Sequence, residues 1–171
     1  LCMSLSKLGL PGSRCGIIIA NEKIITAIAN MNGIISLAPG GIGPAMMCEM
    51  IKRNDLMRLS ETVIKPFYFQ RVQQTIAIIR RYLPENRCLI HKPEGAIFLW
   101  LWFQDLPITY QRLKARGVLM VPGHYFFPGL DKPWPHTHQC MRMNYVPDPQ
   151  KIEAGVKILA EEVERAWAEN Q

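Results

Sequence analysis

Between residues 55 and 82 the apolar side chains Leu56, Leu59, Val63, Phe67, Val72, Ile76 and Ile79, continued by Leu83, recur at roughly helical spacing. That pattern predicts one long helix, long enough to bridge two structural regions. Pro66 lies inside it and is expected to kink it, because proline removes a backbone donor and crowds the preceding turn. The chain is therefore expected to divide within this helix, into residues 1–65 and 66–171.

The two sides differ in character. Before the helix, the isoleucine-rich run of residues 13–20 follows a Gly/Pro turn and reads as a short buried strand. Asn21-Glu22-Lys23 opens a helix through Ile24, Ile25, Ile28 and Met31, with Asn32-Gly33 as its expected stop. A loop over 39–44 precedes a second helix through Met46, Met47, Met50 and Ile51. After Pro84 come short β runs at 88–91 and 96–102, a helix over 110–116, a strand over 118–121, a loop over 122–135, a strand over 139–146 and a closing amphipathic helix over 149–168. Strands alternating with helices and capped by a packed helix make a compact α/β layer unit.

Composition narrows the partners. Of the 171 residues, 49% are hydrophobic and 20% charged, as in globular chains, and the net charge is +6. Nucleic-acid binding needs that charge gathered on one face. Here Lys52-Arg53, Arg80-Arg81 and Lys114 with Arg116 are short, separated groups set in helical patterns, so solvated helix faces explain them and no nucleic-acid partner is expected. The longest apolar run, from Gly95 to Phe103, is well short of the ~20 residues that span a bilayer, so no membrane partner is expected either. Leu1-Cys2-Met3-Ser4 has neither the basic nor the long apolar region of a signal peptide, and it reads as a start within a longer protein. Five irregularly spaced cysteines suit reduced, buried thiols and a cytoplasmic location.

The chemistry concentrates in Ser4-Leu5-Ser6-Lys7-Leu8-Gly9-Leu10-Pro11-Gly12-Ser13-Arg14-Cys15-Gly16. A lysine framed by hydroxyls and followed by a Gly/Pro turn can approach a phosphate closely, and Arg14 can bind that phosphate bidentately. A partly desolvated lysine beside other cations holds a neutral amine more readily, and a neutral amine condenses with an aldehyde to a Schiff base. An aldehyde and a phosphate together call for pyridoxal phosphate.

This segment resembles the cofactor-lysine motif of the fold-type I, class I/II aminotransferases, Ser-x-Ser-Lys followed by a Gly-containing turn and Arg-x-Gly, and the likeness runs over nearly the whole chain. It implies an α/β chain made of the end of a large cofactor-binding domain (1–65, with the start of the linking helix) and a small C-terminal domain (66–171). It implies pyridoxal 5'-phosphate as cofactor, Lys7 as the Schiff-base lysine and proton carrier, and Ser4, Ser6 and Arg14 as phosphate holders. It further implies amino-group exchange between a small apolar amino acid, valine foremost, and pyruvate, in a homodimer. The turn from Lys7 to Arg14 is one residue shorter than in many members. The family's ring-stacking and ring-nitrogen residues lie N-terminal to the lysine, so this chain alone is expected to be inactive. A shortened loop is expected around Pro107 to Tyr110.

A second constellation is Cys140-Met141-Arg142-Met143-Asn144-Tyr145. Strand alternation places Cys140, Arg142 and Asn144 on one face. An arginine in so apolar a strand needs an anion, which is either a structural acid or a ligand. The resemblance implies that Arg142 grips the substrate carboxylate. Glu94-Gly95-Ala96-Ile97-Phe98 and the run from Val118 to Gly123 resemble architectural strand entries of the family, and His124, Tyr125 and Phe126 follow that turn, where they could approach a substrate but read first as loop packing. His136, His138 and Cys140 offer a rival zinc reading if regular strand carries all three to one side; the preceding Trp-Pro and the lack of a fourth ligand weigh against it, and no metal is expected. Two other classes share the scaffold, a pyridoxal-phosphate lyase and an effector-sensing domain of a transcription regulator.

Overall fold

A computed structural model describes residues 1–8, 12, 14–38, 40–103 and 110–169, without the side chains of Lys7 and Leu8. Ser13, where the first strand is expected to begin, and Pro107, Ile108 and Thr109, where a shortened loop is expected, lie outside the described residues. The chain divides into two compact units, Leu1–Phe67 and Tyr68–Gln171.

The first unit opens with a strand not expected from the sequence, β1 (Cys2–Ser4). It pairs antiparallel with β2 (Gly16–Ile18), in the register Cys2↔Ile18, Met3↔Ile17 and Ser4↔Gly16. The expected strand at 13–20 is thus shorter than its isoleucine run. Asn21 caps α1 (Glu22–Ser36), its Oδ1 accepting from the Ile24 N–H at 3.0 Å. Asn32-Gly33 does not stop this helix. Glycine ends a helix by adopting positive φ, which Gly33 does not, and the left-handed turn falls instead on Leu37 at φ 55. The second helix, α2 (Ile42–Lys52), begins inside the expected loop, because Pro44 in its first turn forfeits a donor that has no intrahelical partner anyway. Leu5, Met47 and Leu56 form the small core of this unit, with Cys15, Ile17 and Met50 against it.

The long helical pattern resolves into α3 (Asp55–Leu59), one wide π turn at Ser60–Ile64, and α4 (Lys65–Tyr82). The Lys65 N–H donates to the Ser60 carbonyl, one residue further back than in an α-helix. Pro66, with no N–H and a ring that would crowd the Thr62 carbonyl, accounts for the widening. The division between the units falls just after it, within α4.

In the second unit, β3 (Leu89–Ile90), β4 (Phe98–Trp102), β5 (Val121–Pro122) and β6 (Cys140–Asn144) form an antiparallel sheet in the order β3-β4-β6-β5. The remaining helices are α5 (Tyr110–Ala115) and α6 (Pro149–Glu169). Leu99, Leu101 and Met141 join one core with Val72, Ile79 and Leu83 and with Ile152, Val156, Leu159 and Val163, which recur on α6 at helical spacing. Arg116 bridges to Glu161 and Glu162, and Arg112 bonds Glu169 at 2.8 Å, tying α5 to α6.

With one sheet face in that core, alternation sends Phe98, Trp100 and Trp102 of β4 to the other, beside Cys140, Arg142 and Asn144 of β6. The register pairs Trp102 with Cys140, Trp100 with Arg142 and Phe98 with Asn144. Two single-turn 3-10 helices, Gly123–Phe126 and Pro135–His138, follow β5 and precede β6.

Candidate active site

Arg142 sits mid-strand on that second face, half-buried, and its surroundings are aromatic. Its guanidinium carbon lies 4.1 Å from the Phe98 ring centroid and 4.7 Å from that of Phe126, over both rings. Among the described residues no carboxylate forms an ion pair with it. Of the two anions the sequence left open, the structural acid is therefore not present among those residues. Cation–π contact partly offsets the desolvation of such a charge and leaves its hydrogen-bonding edge available to a ligand.

Phe126 reaches this position because β5 pairs directly with β6, Val121 opposite Arg142 and Pro122 opposite Met141. The chain then turns over β6 through Gly123. A Cβ at Gly123 would lie 2.7 Å from the Cys140 Cβ, 2.7 Å from the Thr137 carbonyl oxygen and 2.9 Å from the Cys140 carbonyl oxygen. Two of those obstacles are backbone, so only glycine allows the approach. Gly123→Ala is expected to destabilise the protein by about 1–3 kcal/mol through overpacking, seen as a lowered denaturation midpoint. The contact of Phe126 with Arg142 was not foreseen from the sequence, where the only signal of Phe126 was its place just after the Pro-Gly turn.

His136, His138 and Cys140 do not converge. Pro135 starts a 3-10 helix where regular strand would be needed. His136 stacks on Trp134 at 4.6 Å and meets Cys140 Sγ through Nε2 at 3.3 Å, whereas His138 stacks on His124 at 5.1 Å. No group of three His, Cys, Asp or Glu side chains that could hold a metal occurs among the described residues. Burial pushes the Cys140 thiol above its usual value, and pushes that of Cys88 up to about 12, so both are protonated at neutral pH. All five cysteines are free; Cys88 and Cys140 are buried as expected, but Cys2 and Cys48 are exposed.

In the first unit, Ser4 ends β1 opposite Gly16, and the Leu5 N–H donates to the Cys15 carbonyl at 3.1 Å. The 3-10 helix Leu5–Leu8, which carries Ser6 and Lys7, continues directly from β1, and Arg14 lies two residues before β2. Arg14 is exposed, without an ion-pair partner among the described residues, and held at φ 48. A left-handed non-glycine residue carries strain of about 1 kcal/mol or more, a feature that clusters at ligand sites. The Lys7 side chain lies outside the described part of the structure.

A lysine just after a hairpin strand, and a sheet arginine over two aromatic rings, stand in a chain whose sequence defines one enzyme class. The pattern that defines "Aminotransferase class I and II" matches residues 1–159, and the chain belongs to that family, which works with pyridoxal phosphate. Within it, the chain is similar to particular members. It is 92% identical over 174 residues to the valine–pyruvate aminotransferase of Escherichia coli K12, covering 99% of this chain and 42% of that protein. The crystal structure of valine–pyruvate aminotransferase from Salmonella typhimurium LT2 superposes with a TM-score of 0.91 at 91% identity, covering 99% of this chain and 45% of that one. More distantly, the kynurenine aminotransferase of Pyrococcus horikoshii, solved in complex with PMP, has a TM-score of 0.78 at 26% identity over 96% of this chain and 40% of its own. The chain thus spans about two-fifths of the length of the relatives it matches.

The residues present fit the phosphate end of this cofactor. Ser4 at the end of β1, Ser6 in the following 3-10 helix and Arg14 just before β2, the last with no acid partner among the described residues, supply two hydroxyls and a guanidinium, a donor set suited to a phosphate dianion. Gly16 lies close against β1, since a Cβ there would come within 3.3 Å of the Met3 carbonyl oxygen.

Proposed function

We propose that the protein containing this chain transfers an amino group between valine, or a similar small apolar amino acid, and pyruvate. In this reading residues 1–65 are the end of the large cofactor-binding domain and residues 66–171 the small domain. Ser4, Ser6 and Arg14 hold the phosphate of pyridoxal 5'-phosphate. Lys7 holds the cofactor through its amine and afterwards carries the proton to and from the substrate carbon. Arg142 binds the substrate carboxylate edge-on and so orients the bond to be broken. When bound, the cofactor supplies an electron sink for the charge left at that carbon. The observation that carries this reading is the half-buried Arg142, over two aromatic rings and with no ion-pair partner among the described residues. The choice of valine and pyruvate rests on the 92% identity with an enzyme of that name.

We further propose a homodimer in the cytoplasm. α1 has no buried residue, and Ile24, Ile25, Met31, Ile34 and Ile35 are exposed along it, an apolar surface that further protein must cover. Among the described residues no helix is long and apolar enough to cross a membrane, and the free thiols suit a reducing compartment.

The test is product identity. The full-length protein with pyridoxal phosphate, valine and pyruvate is expected to form alanine and the branched 2-oxo acid in equal amounts. Release of ammonia or carbon dioxide in their place would point to lyase chemistry and overturn the proposal.

A further inference from the structure

We infer that Phe126 is a positioning residue for substrate recognition, holding the Arg142 guanidinium in the orientation that meets a carboxylate. This rests on the carboxylate-binding reading of Arg142.

The five N–H donors of a guanidinium lie in its plane, so its faces cannot hydrogen-bond, whereas an aromatic ring can cover a face without consuming a donor. Arg142 uses such contacts twice, over Phe98 from the neighbouring strand and over Phe126 from the turn after β5. Phe126 is itself held. Its ring packs edge-on against Trp100 at 5.4 Å and 84°, and Trp100 is the residue paired with Arg142 across the sheet. The turn that carries it is pressed onto β6 at Gly123. With no acid among the described residues to fix it, a long arginine side chain samples many rotamers, and each substrate would then have to bear the entropy of ordering it. The ring of Phe126 orders the side chain beforehand. Such a contact strengthens binding to every substrate bearing an α-carboxylate, and leaves untouched the steps that do not involve one.

The experiment uses the full-length holoenzyme. Phe126 is 39% exposed, so Phe126→Leu is expected to keep the fold. The expected result is a KM for valine and for pyruvate raised by the same factor, about tenfold, with kcat within about twofold. Phe126→Tyr, which keeps the ring, is expected to restore both. Isobutylamine, which is valine without its carboxylate, reports on everything except the Arg142 contact; the rate at which it bleaches the cofactor's visible band is expected to be unchanged in Phe126→Leu. An unchanged KM for valine and pyruvate, or an equal loss with isobutylamine, would overturn the inference. Arg142→Gln separates the two levels. If it raises KM while Phe126→Leu does not, the inference alone fails; if neither raises KM, the carboxylate role of Arg142 fails with it.

Discussion

Lys7→Ala in the full-length protein is expected to lower the rate of valine–pyruvate exchange by at least about 10³-fold, because it removes both the amine that holds the cofactor and the group that moves the proton; a positioned acid–base group alone contributes 10²–10⁴-fold. The steady-state rate with saturating pyridoxal phosphate checks it. Cofactor retention adds a second readout, since the variant can bind pyridoxal phosphate only through its non-covalent contacts and is expected to lose it on dialysis. The denaturation midpoint of the apoprotein is expected to stay unchanged. Lys7 occupies a short 3-10 helix after β1, whereas the packing of the first unit rests on Leu5, Met47 and Leu56.

Arg142→Gln is expected to lower kcat/KM for valine by about 10²–10⁴-fold, since hydrogen bonds to a charged partner contribute about 1.5–3 kcal/mol each and a bidentate clamp makes two. Arg142→Lys keeps the charge but loses the planar fork, and is expected to recover only part of the loss. Stability distinguishes this role from a structural one. An arginine paired with a buried acid would leave that acid uncompensated when removed, with a large fall in the denaturation midpoint. No such ion pair is present among the described residues, so Arg142→Gln is expected to leave the midpoint nearly unchanged.

In the second unit β4, β6 and α6 were legible in the sequence because they follow simple periods, whereas the strand expected over 118–121 is met only at Val121, the observed β5 being Val121–Pro122. The alternation that groups Cys140, Arg142 and Asn144 is a local property of one strand, and Ile152, Val156, Leu159 and Val163 mark the buried stripe of α6 without reference to anything else. What escaped depends on long-range register or on backbone detail. Nothing local to Phe126 says that β5 pairs with β6 and folds its turn back onto Arg142. Pro66 signals a disturbance but not whether the chain answers with a kink or a π turn. Gly33 carries a stop signal that α1 runs past, to Ser36, and β1 is hidden because Cys2, Met3 and Ser4 lack the usual marks of a strand. The family, in contrast, was legible in the lysine segment, because the motif sets particular side chains at fixed spacing. The β1–β2 hairpin that flanks this segment was not, since it depends on pairing between Cys2–Ser4 and Gly16–Ile18.

The visible absorbance of the full-length protein with pyridoxal phosphate, followed while valine and then pyruvate are added, tests the central claim most directly. The expected result is a visible band that shifts on adding valine and returns on adding pyruvate, and that fails to cycle in Lys7→Ala, as a lysine-held aldehyde cofactor passing through two half-reactions requires. A protein that shows no lysine-dependent band, or whose band valine leaves untouched, would contradict the assignment of Lys7 and the proposed amino-group transfer together.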